Sequence, residues 1–331
     1  MPIVPKHQKT LEIATPYQAD ANNGNWRTAH RWQALLSGDY RVIVQGDRHT
    51  AHTDNALTAD MLIALHARRS AGIIRQFREA HNDKPIIVVL TGTDLYKDLP
   101  HDTDAQESLR IADALIVLQE DAIQYIPLQY RKKTHVVFQS AKPLLPAVKP
   151  KGKLNCVAVG HLRAEKDPAT LLRTFDHLPV DAPLHILHIG APLDSNLAAA
   201  SQAKMAEDAR YHWAGALSHG LTRAAIKRSH LLLHPSIMEG GANVIVEAIL
   251  SGTPVLASEM SGNIGMLGKD YAGYFPVGNA QALAALLQKC INDANFLLRL
   301  NNACQARAKL FLPMAERSAL KNIIDPLIRD N

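Results

Sequence analysis

The stretch HPSIMEGGANVIVEAILSGTPVLAS, residues 234–258, decides how this chain folds. A short apolar run, Leu231–His234, closes at Pro235 and gives way to a loop holding Glu239, Gly240 and Gly241. A helical pattern follows from about Ala242 to Ser251 and stops at Gly252 and Pro254, after which Pro254–Ala257 reads as the next strand. Strand, loop, helix and strand in close succession is the repeating unit of a parallel sheet with helices on its faces. Glycines let a backbone come close to a ligand, and the free N–H groups at a helix start favour a phosphate. Glu239 and Glu247 lie eight residues apart, one in the loop and one in the helix, where a side chain leans back toward the helix start. So placed, they flank a diphosphate and offer acceptors on either side of it, to sugar hydroxyls and to ribose hydroxyls. The plainer alternative is a surface glutamate beside an ordinary glycine turn.

The same rhythm extends in both directions. Upstream, Leu11–Ala14, Arg41–Gln45, Met61–Ala64, Ile86–Leu90, Ala114–Leu118 and His135–Phe138 read as strands, with helical patterns at Thr28–Ser37 and Ala71–Ala80. Nearer the decisive stretch, Asn155–Val159, His185–Gly190 and Tyr211–Trp213 are further strands. Between the two sets, Lys142–Lys153 mixes Pro143, Pro146, Pro150 and Gly152 with lysines and has no apolar period, which suits a linker. The expected architecture is α/β, with two Rossmann-like doubly wound lobes facing a cleft. One spans residues 1–145 with a returning C-terminal helix at about 314–331, and the other spans 146–313.

A second loop strengthens the reading of the C-terminal lobe. VAVGHLRAEKDPATLL, residues 157–172, is strand, loop and helix, with Asp167 at the cap and Pro168 at the first helical position. Arg163 and Lys166 stand in that loop, where they can neutralise charge on a departing diphosphate. As solvated surface cations they would do nothing of the kind. Gly160, Leu217 and Asn243 are grouped with Gly240, Gly241, Ala242 and Glu247 on the nucleotide-sugar side.

Composition sets the outer limits. The chain has 331 residues, enough for two domains, and 47% hydrophobic against 20% charged residues marks it as globular. No apolar run approaches the ~20 residues of a membrane span, and Met1–Lys9 has no signal-peptide core, so the expectation is a cytoplasmic protein without stable membrane insertion. Cys156, Cys290 and Cys304 have no CxxC spacing and read as buried thiols. The net charge of +5 admits nucleic acid, anionic lipid or a small anion as partner, but aromatics are only 5% and no RNA-binding signature occurs. Nucleic acid is therefore not expected. Phosphate-loop, dinucleotide and nucleophile-elbow motifs are likewise missing from the sequence.

Arg163 and Lys166, followed by Glu239-x7-Glu247, resemble the donor half of glycosyltransferase family 4, a family of GT-B fold, over roughly residues 155–290. The resemblance implies that Arg163 and Lys166 hold the donor pyrophosphate, that Glu239 meets the transferred sugar and that Glu247 meets the ribose. Gly240-Gly241-Ala242 stands where Gly-Phe-Gly is commoner in that family.

The N-terminal half has its own marks. TPYQADANNGNWRTAHRWQALL, residues 15–36, places a Gly24-Asn25 turn before a helix bearing Arg27, His30 and Arg31. LHARRS, residues 65–70, with His66, Arg68 and Arg69, and LTGTDLYKDL, residues 90–99, with Lys97, each follow a strand. Thr91, Gly92 and Thr93 leave room for a ligand, and Asp94 is an acceptor that would position it. Gly24-Asn25, Thr28-Ala29, Arg31-Trp32, LHARRS and LTGTDLY together resemble the selenosugar synthases of selenoneine biosynthesis, a narrow subfamily. That resemblance implies UDP-GlcNAc or UDP-glucose as donor and selenophosphate as acceptor, with no metal and no other cofactor. The cations of this half fit an anionic acceptor, although scattered surface charges would give the same composition. The alternative is a family 4 transferase with a sugar or lipid acceptor. His185 and His188 fall on opposite faces of a strand and do not read as a metal pair; Asp102-Thr-Asp104 reads as a capped turn.

Overall fold

Strands that are apolar on every residue must be covered on both faces, and the two faces here are covered by different helices. The computed structural model describes residues 8–16, 24–46 and 58–329. Two compact units divide the chain, Met1–Gln139 with Pro313–Asn331 and Ser140–Leu312.

In the first unit the elements run β1 (Thr10–Ala14), α1 (Gly24–Leu36), β2 (Arg41–Gln45), β3 (Met61–Leu65), α2 (Ala71–Ala80), β4 (Ile86–Leu90), α3 (Thr103–Ile111), β5 (Ala114–Val117) and β6 (Thr134–Val136). They form a parallel sheet in the order β2-β1-β3-β4-β5-β6. Leu62, Ala64, Val88, Leu90 and Leu115 face Ile74 and Phe77 of α2 and Leu109 of α3. Their alternates Ile13, Ile63, Leu65, Val89 and Ile116 face Trp32 and Leu36 of α1. Gly24 and Asn25, expected in a turn, are instead the first residues of α1, and Thr28 Oγ1 donates to the Gly24 carbonyl at 2.8 Å. The loop residues 17–23 of the quoted N-terminal stretch lie outside the described residues.

The second unit holds β7 (Leu154–Val159), α4 (Pro168–Arg173), β8 (Leu184–Ile189), α5 (Ser195–Glu207), β9 (Tyr211–Trp213), α6 (His219–Arg228), β10 (Leu231–His234), α7 (Asn243–Ile249), β11 (Val255–Ser258), α8 (Ser261–Leu267), β12 (Tyr274–Phe275), α9 (Ala280–Asn292) and α10 (Ala294–Arg307). Its parallel sheet has the order β12-β11-β10-β7-β8-β9. Between β7 and β10 the winding reverses direction, and it is outside the carboxyl ends of such a strand pair that open α/β sheets bind ligands. β12 has two residues, too few for a period, and the sequence reading passes over it.

The chain enters the second unit at Ser140, and the Pro- and Lys-rich stretch expected to be a linker lies along that unit. Leu144 N–H donates to the Leu250 carbonyl at 2.9 Å, Arg223 to the Lys142 carbonyl at 2.9 Å, and Lys149 Nζ to the Lys227 carbonyl at 2.7 Å. Prolines remove the donors that would make it a strand or helix, and the remaining polar groups find partners on α6 and beyond α7.

The last helix, α11 (Pro313–Arg329), returns to the first unit, as its lone amphipathic pattern predicts. Leu320, Ile323 and Ile324 join Trp32 and Leu36 in the core. Glu316 is buried among them and is bonded by Trp32 Nε1 at 2.6 Å and by Arg31 Nε at 2.9 Å. Removing one partner of such a buried cluster strands the rest, so Glu316→Ala should cost about 3–5 kcal/mol in urea unfolding. Glu316→Gln, which still accepts from the indole, should cost clearly less.

Candidate active site

The loop after β7 and the loop after β10 meet at the reversal of the second sheet. Gly160 N–H continues the ladder to the Ile189 carbonyl at 2.9 Å, and the loop then turns through Arg163, Ala164 and Glu165 to Lys166. A Cβ on Gly190 would lie 1.9 Å from the Gly160 carbonyl oxygen, so glycine at 190 is what lets the loop settle this close to β8. Asp167 takes the left-handed conformation, φ 45°, and caps α4 through Thr170 N–H at 3.1 Å. That reversal sends Lys166 back across the sheet end, and the Ile237 N–H to Glu165 carbonyl bond, 3.0 Å, ties the two loops together.

Lys166 Nζ donates to Glu239 Oε1, and His234 Nε2 approaches the same oxygen at 3.4 Å. Glu239 is nearly buried, with 12% of its side chain exposed. Burial pushes its carboxyl up, but Lys166 and then His234 outweigh it and hold the group well below the ordinary carboxylate range. Burial lowers the His234 imidazole, against the pull of Glu239. Glu239 also rests on α8. A Cβ on Gly262 would come 2.1 Å from the Glu239 carbonyl oxygen, so this glycine sets where the acid stands. Beneath the loop, Ser258 Oγ donates to the Ser236 carbonyl, and Asn263 Nδ2 donates to the Ser258 carbonyl at 2.9 Å. Arg163 is exposed, and its side chain has no polar partner among the described residues.

α7 starts at Asn243, directly after Gly240, Gly241 and Ala242, and Ala242 gives it no side-chain cap. The Ile245 N–H instead closes the first turn on the Ala242 carbonyl at 3.0 Å. Glu247, one turn in, is 8% exposed and accepts from His219 Nε2 at 2.6 Å. Leu217 is partly exposed, just before the Ser218 cap of α6. Lys166, Glu239, Gly240, Gly241 and Glu247 are thus gathered around one sheet end. His234 and His219 escaped the sequence reading. The first ends a buried strand at the carboxyl edge, which is a signal that was there to be used. The second meets Glu247 across 28 residues, and no local pattern announces it.

In the first unit the expected acceptor residues are largely engaged within that unit. Asp94 is fully buried, and its carboxylate accepts from the backbone N–H groups of Thr91 at 2.9 Å, Gly92 at 2.8 Å and Ala67 at 2.9 Å. It thereby joins the loops after β3 and β4. His66 adopts φ 74°, is buried, and bonds Thr93 Oγ1 at 3.0 Å. Arg68 pairs with Asp98 and Asp102, both at 3.1 Å, and Arg31 is held by Glu316. Arg27 and Arg69 also have partners. Asp102 caps α3 through Ala105 N–H at 2.9 Å and Asp104 pairs with Arg75, as a capped turn should. His188 lies on Tyr211 Oη at 2.8 Å, apart from His185.

Residues 146–309 match the family model for glycosyl transferases group 1. The match falls within the second unit, Ser140–Leu312. The whole chain is similar in structure to a sucrose-phosphate synthase from Thermosynechococcus elongatus, with TM-score 0.78, 15% identity, and 98% of this chain and 100% of that chain covered. It is also similar to Alr3699/HepE of Anabaena in complex with UDP, with TM-score 0.73, 16% identity, and 96% and 100% covered. A glycosyltransferase from Rickettsia africae superposes with TM-score 0.72, 11% identity, and 98% and 100% covered. No curated protein sequence matches the chain. The two parallel six-stranded sheets with flanking helices are those of the GT-B fold. The domain match supports nucleotide-sugar glycosyl transfer as the chemistry. Among the described residues no helix is long and apolar enough to cross a membrane.

The Glu239 pairing makes a pH prediction. A carboxyl depressed in the folded state adds stability above its unfolded value, and that stability is lost as pH falls through the folded one. Lys166→Ala removes the main cation, so its destabilisation in urea unfolding should be largest near pH 7. It should shrink as the pH drops below the ordinary glutamate value of roughly 4.3.

Proposed function

We propose that this protein transfers a sugar from UDP-GlcNAc or UDP-glucose to selenophosphate, giving a selenosugar and UDP, as a metal-independent cytoplasmic enzyme of selenoneine biosynthesis. The observation that carries the donor side is the Lys166–Glu239–His234 cluster at the winding reversal of the matched domain. Glu239, kept ionised, accepts from hydroxyls of the sugar. Arg163, Lys166 and the chain at Gly241 and Ala242 meet the diphosphate as it gathers charge. Glu247 accepts from the ribose. The Anabaena neighbour, seen with UDP and with UDP-glucose, supports uracil as the base.

In the transfer the anomeric C–O bond to the diphosphate breaks and its electron pair leaves with UDP. The new C–Se bond takes its pair from selenium. Selenophosphate arrives already ionised, so no protein base is required, in keeping with an Asp94 whose carboxylate is occupied by backbone donors. The acceptor reading rests on the LHARRS and LTGTDLY segments and their neighbours, residues 24–32.

A second reading, a sugar or lipid acceptor, draws on the first unit. Arg31 is spent on Glu316 and Arg68 on Asp98 and Asp102, which leaves less positive field for an anion than the sequence suggests. The deciding experiment mixes the protein with UDP-GlcNAc and fresh selenophosphate without oxygen and looks by mass spectrometry for a selenium isotope pattern on the sugar. Its appearance together with UDP is the expected result. Donor binding without a selenium product, and glycosylation of a neutral acceptor instead, would leave the second reading standing. Turnover should also survive EDTA, whereas Arg163→Ala or Lys166→Ala should lower kcat by on the order of a hundredfold.

A further inference from the structure

The loop after β9 runs through Gly215, φ 69°, and the exposed Leu217 to Ser218, whose Oγ caps α6 at Leu221 N–H. This sets His219 at the first position of α6, with Arg223 one turn further on the same face. Both look onto α7. Arg223 reaches Ser251 Oγ at 3.4 Å, and Ser251 Oγ donates to the Glu247 carbonyl at 2.6 Å. The Glu247 backbone is therefore anchored from below. Its side chain has one hydrogen-bond partner among the described residues, His219 Nε2, 2.6 Å from Oε1. A carboxylate oxygen only accepts, so Nε2 is the nitrogen that carries the proton.

We infer that His219 is a positioning residue for ribose recognition and sets the enzyme's preference for ribonucleotides over deoxyribonucleotides. The inference rests on the reading of Glu247 as the ribose acceptor. A glutamate has three side-chain torsions to freeze before it can meet a diol, and a neighbour that holds it in place removes that cost from binding. His219 does so from one side. It uses one of the two acceptor positions on Oε1, and the second position there and both on Oε2 stay open for the 2′ and 3′ hydroxyls. Its own ring is half exposed, at 54% of the side chain, so it needs no rearrangement of the core to hold or release the acid.

The test is calorimetric titration of the full chain with UDP and with 2′-deoxy-UDP, for the wild type, Glu247→Ala, His219→Ala and His219→Gln. His219→Ala should weaken UDP about tenfold, the loss of one charge-assisted hydrogen bond, and should leave 2′-deoxy-UDP much less affected, so that the preference between them narrows. His219→Gln, whose amide donates to the same oxygen, should keep most of that preference. A general loosening of the fold would weaken both nucleotides alike. If Glu247→Ala loses the preference while His219→Ala keeps the wild-type ratio, the role given to His219 is wrong and the donor reading stands. If Glu247→Ala binds UDP as tightly as wild type, the ribose assignment falls, and the inference with it.

Discussion

A nearly buried carboxylate stays ionised only if a cation or several N–H donors are brought to it, and Glu239 is given a cation from a loop more than seventy residues earlier in the chain. Most of the second unit serves that meeting. The sheet order places β7 beside β10, so that both loops emerge at one end. Asp167 reverses the first loop in a left-handed turn, Gly190 admits it close to β8, and Gly262 admits the second loop close to α8. Each glycine stands where a methyl group would collide with a backbone carbonyl. Replacing one would therefore act on the position of a charge before it acted on packing.

The ion pair also has a second partner to find. Lys166 neutralises Glu239. A diphosphate would compete for the same ammonium group, and a sugar would compete for the carboxylate. The pair thus keeps the two charges apart from water and from each other's alternatives until a ligand that carries both a phosphate and hydroxyls divides them. A ligand with only one of those features would leave the other charge buried and uncompensated, at a cost of several kcal/mol. Under the proposed function, selection for a nucleotide sugar over free phosphate or free sugar would follow from that asymmetry.

How much of this was legible beforehand depends on how local the signal is. Parallel strands buried on both faces are continuous apolar runs, and Ile86–Leu90 or Leu231–His234 can be read directly. The Asp167-Pro168 start of α4 and the return of α11 to the first unit were equally plain, since a cap and an amphipathic stripe are local patterns. The boundary at Ser140 was not, because an extended segment that pairs with α6 and the end of α7 looks like any proline-rich linker until its partners are known. Arg31 carried no mark of its buried partner Glu316, 285 residues away.

The first unit shows what charge counting omits. In sequence, Arg31 near a helix start and His66, Arg68 and Arg69 after a strand read as cations for an anionic acceptor. Folding supplies Glu316 to the first, Thr93 to the second, and Asp98 with Asp102 to the third. Formal charge alone would have these side chains waiting for an anion, yet Arg31 and His66 also brace the chain. Asp94 follows the same logic with the sign reversed: three backbone donors use the carboxylate that was expected to face a ligand. His66, Arg68 and Asp94 hold the loops after β3 and β4 and the start of α3 in fixed relation, and Arg31 ties α1 to α11. Recognition of the acceptor on this unit would then depend less on bare charge than on the shape and the backbone donors that such bracing keeps in place.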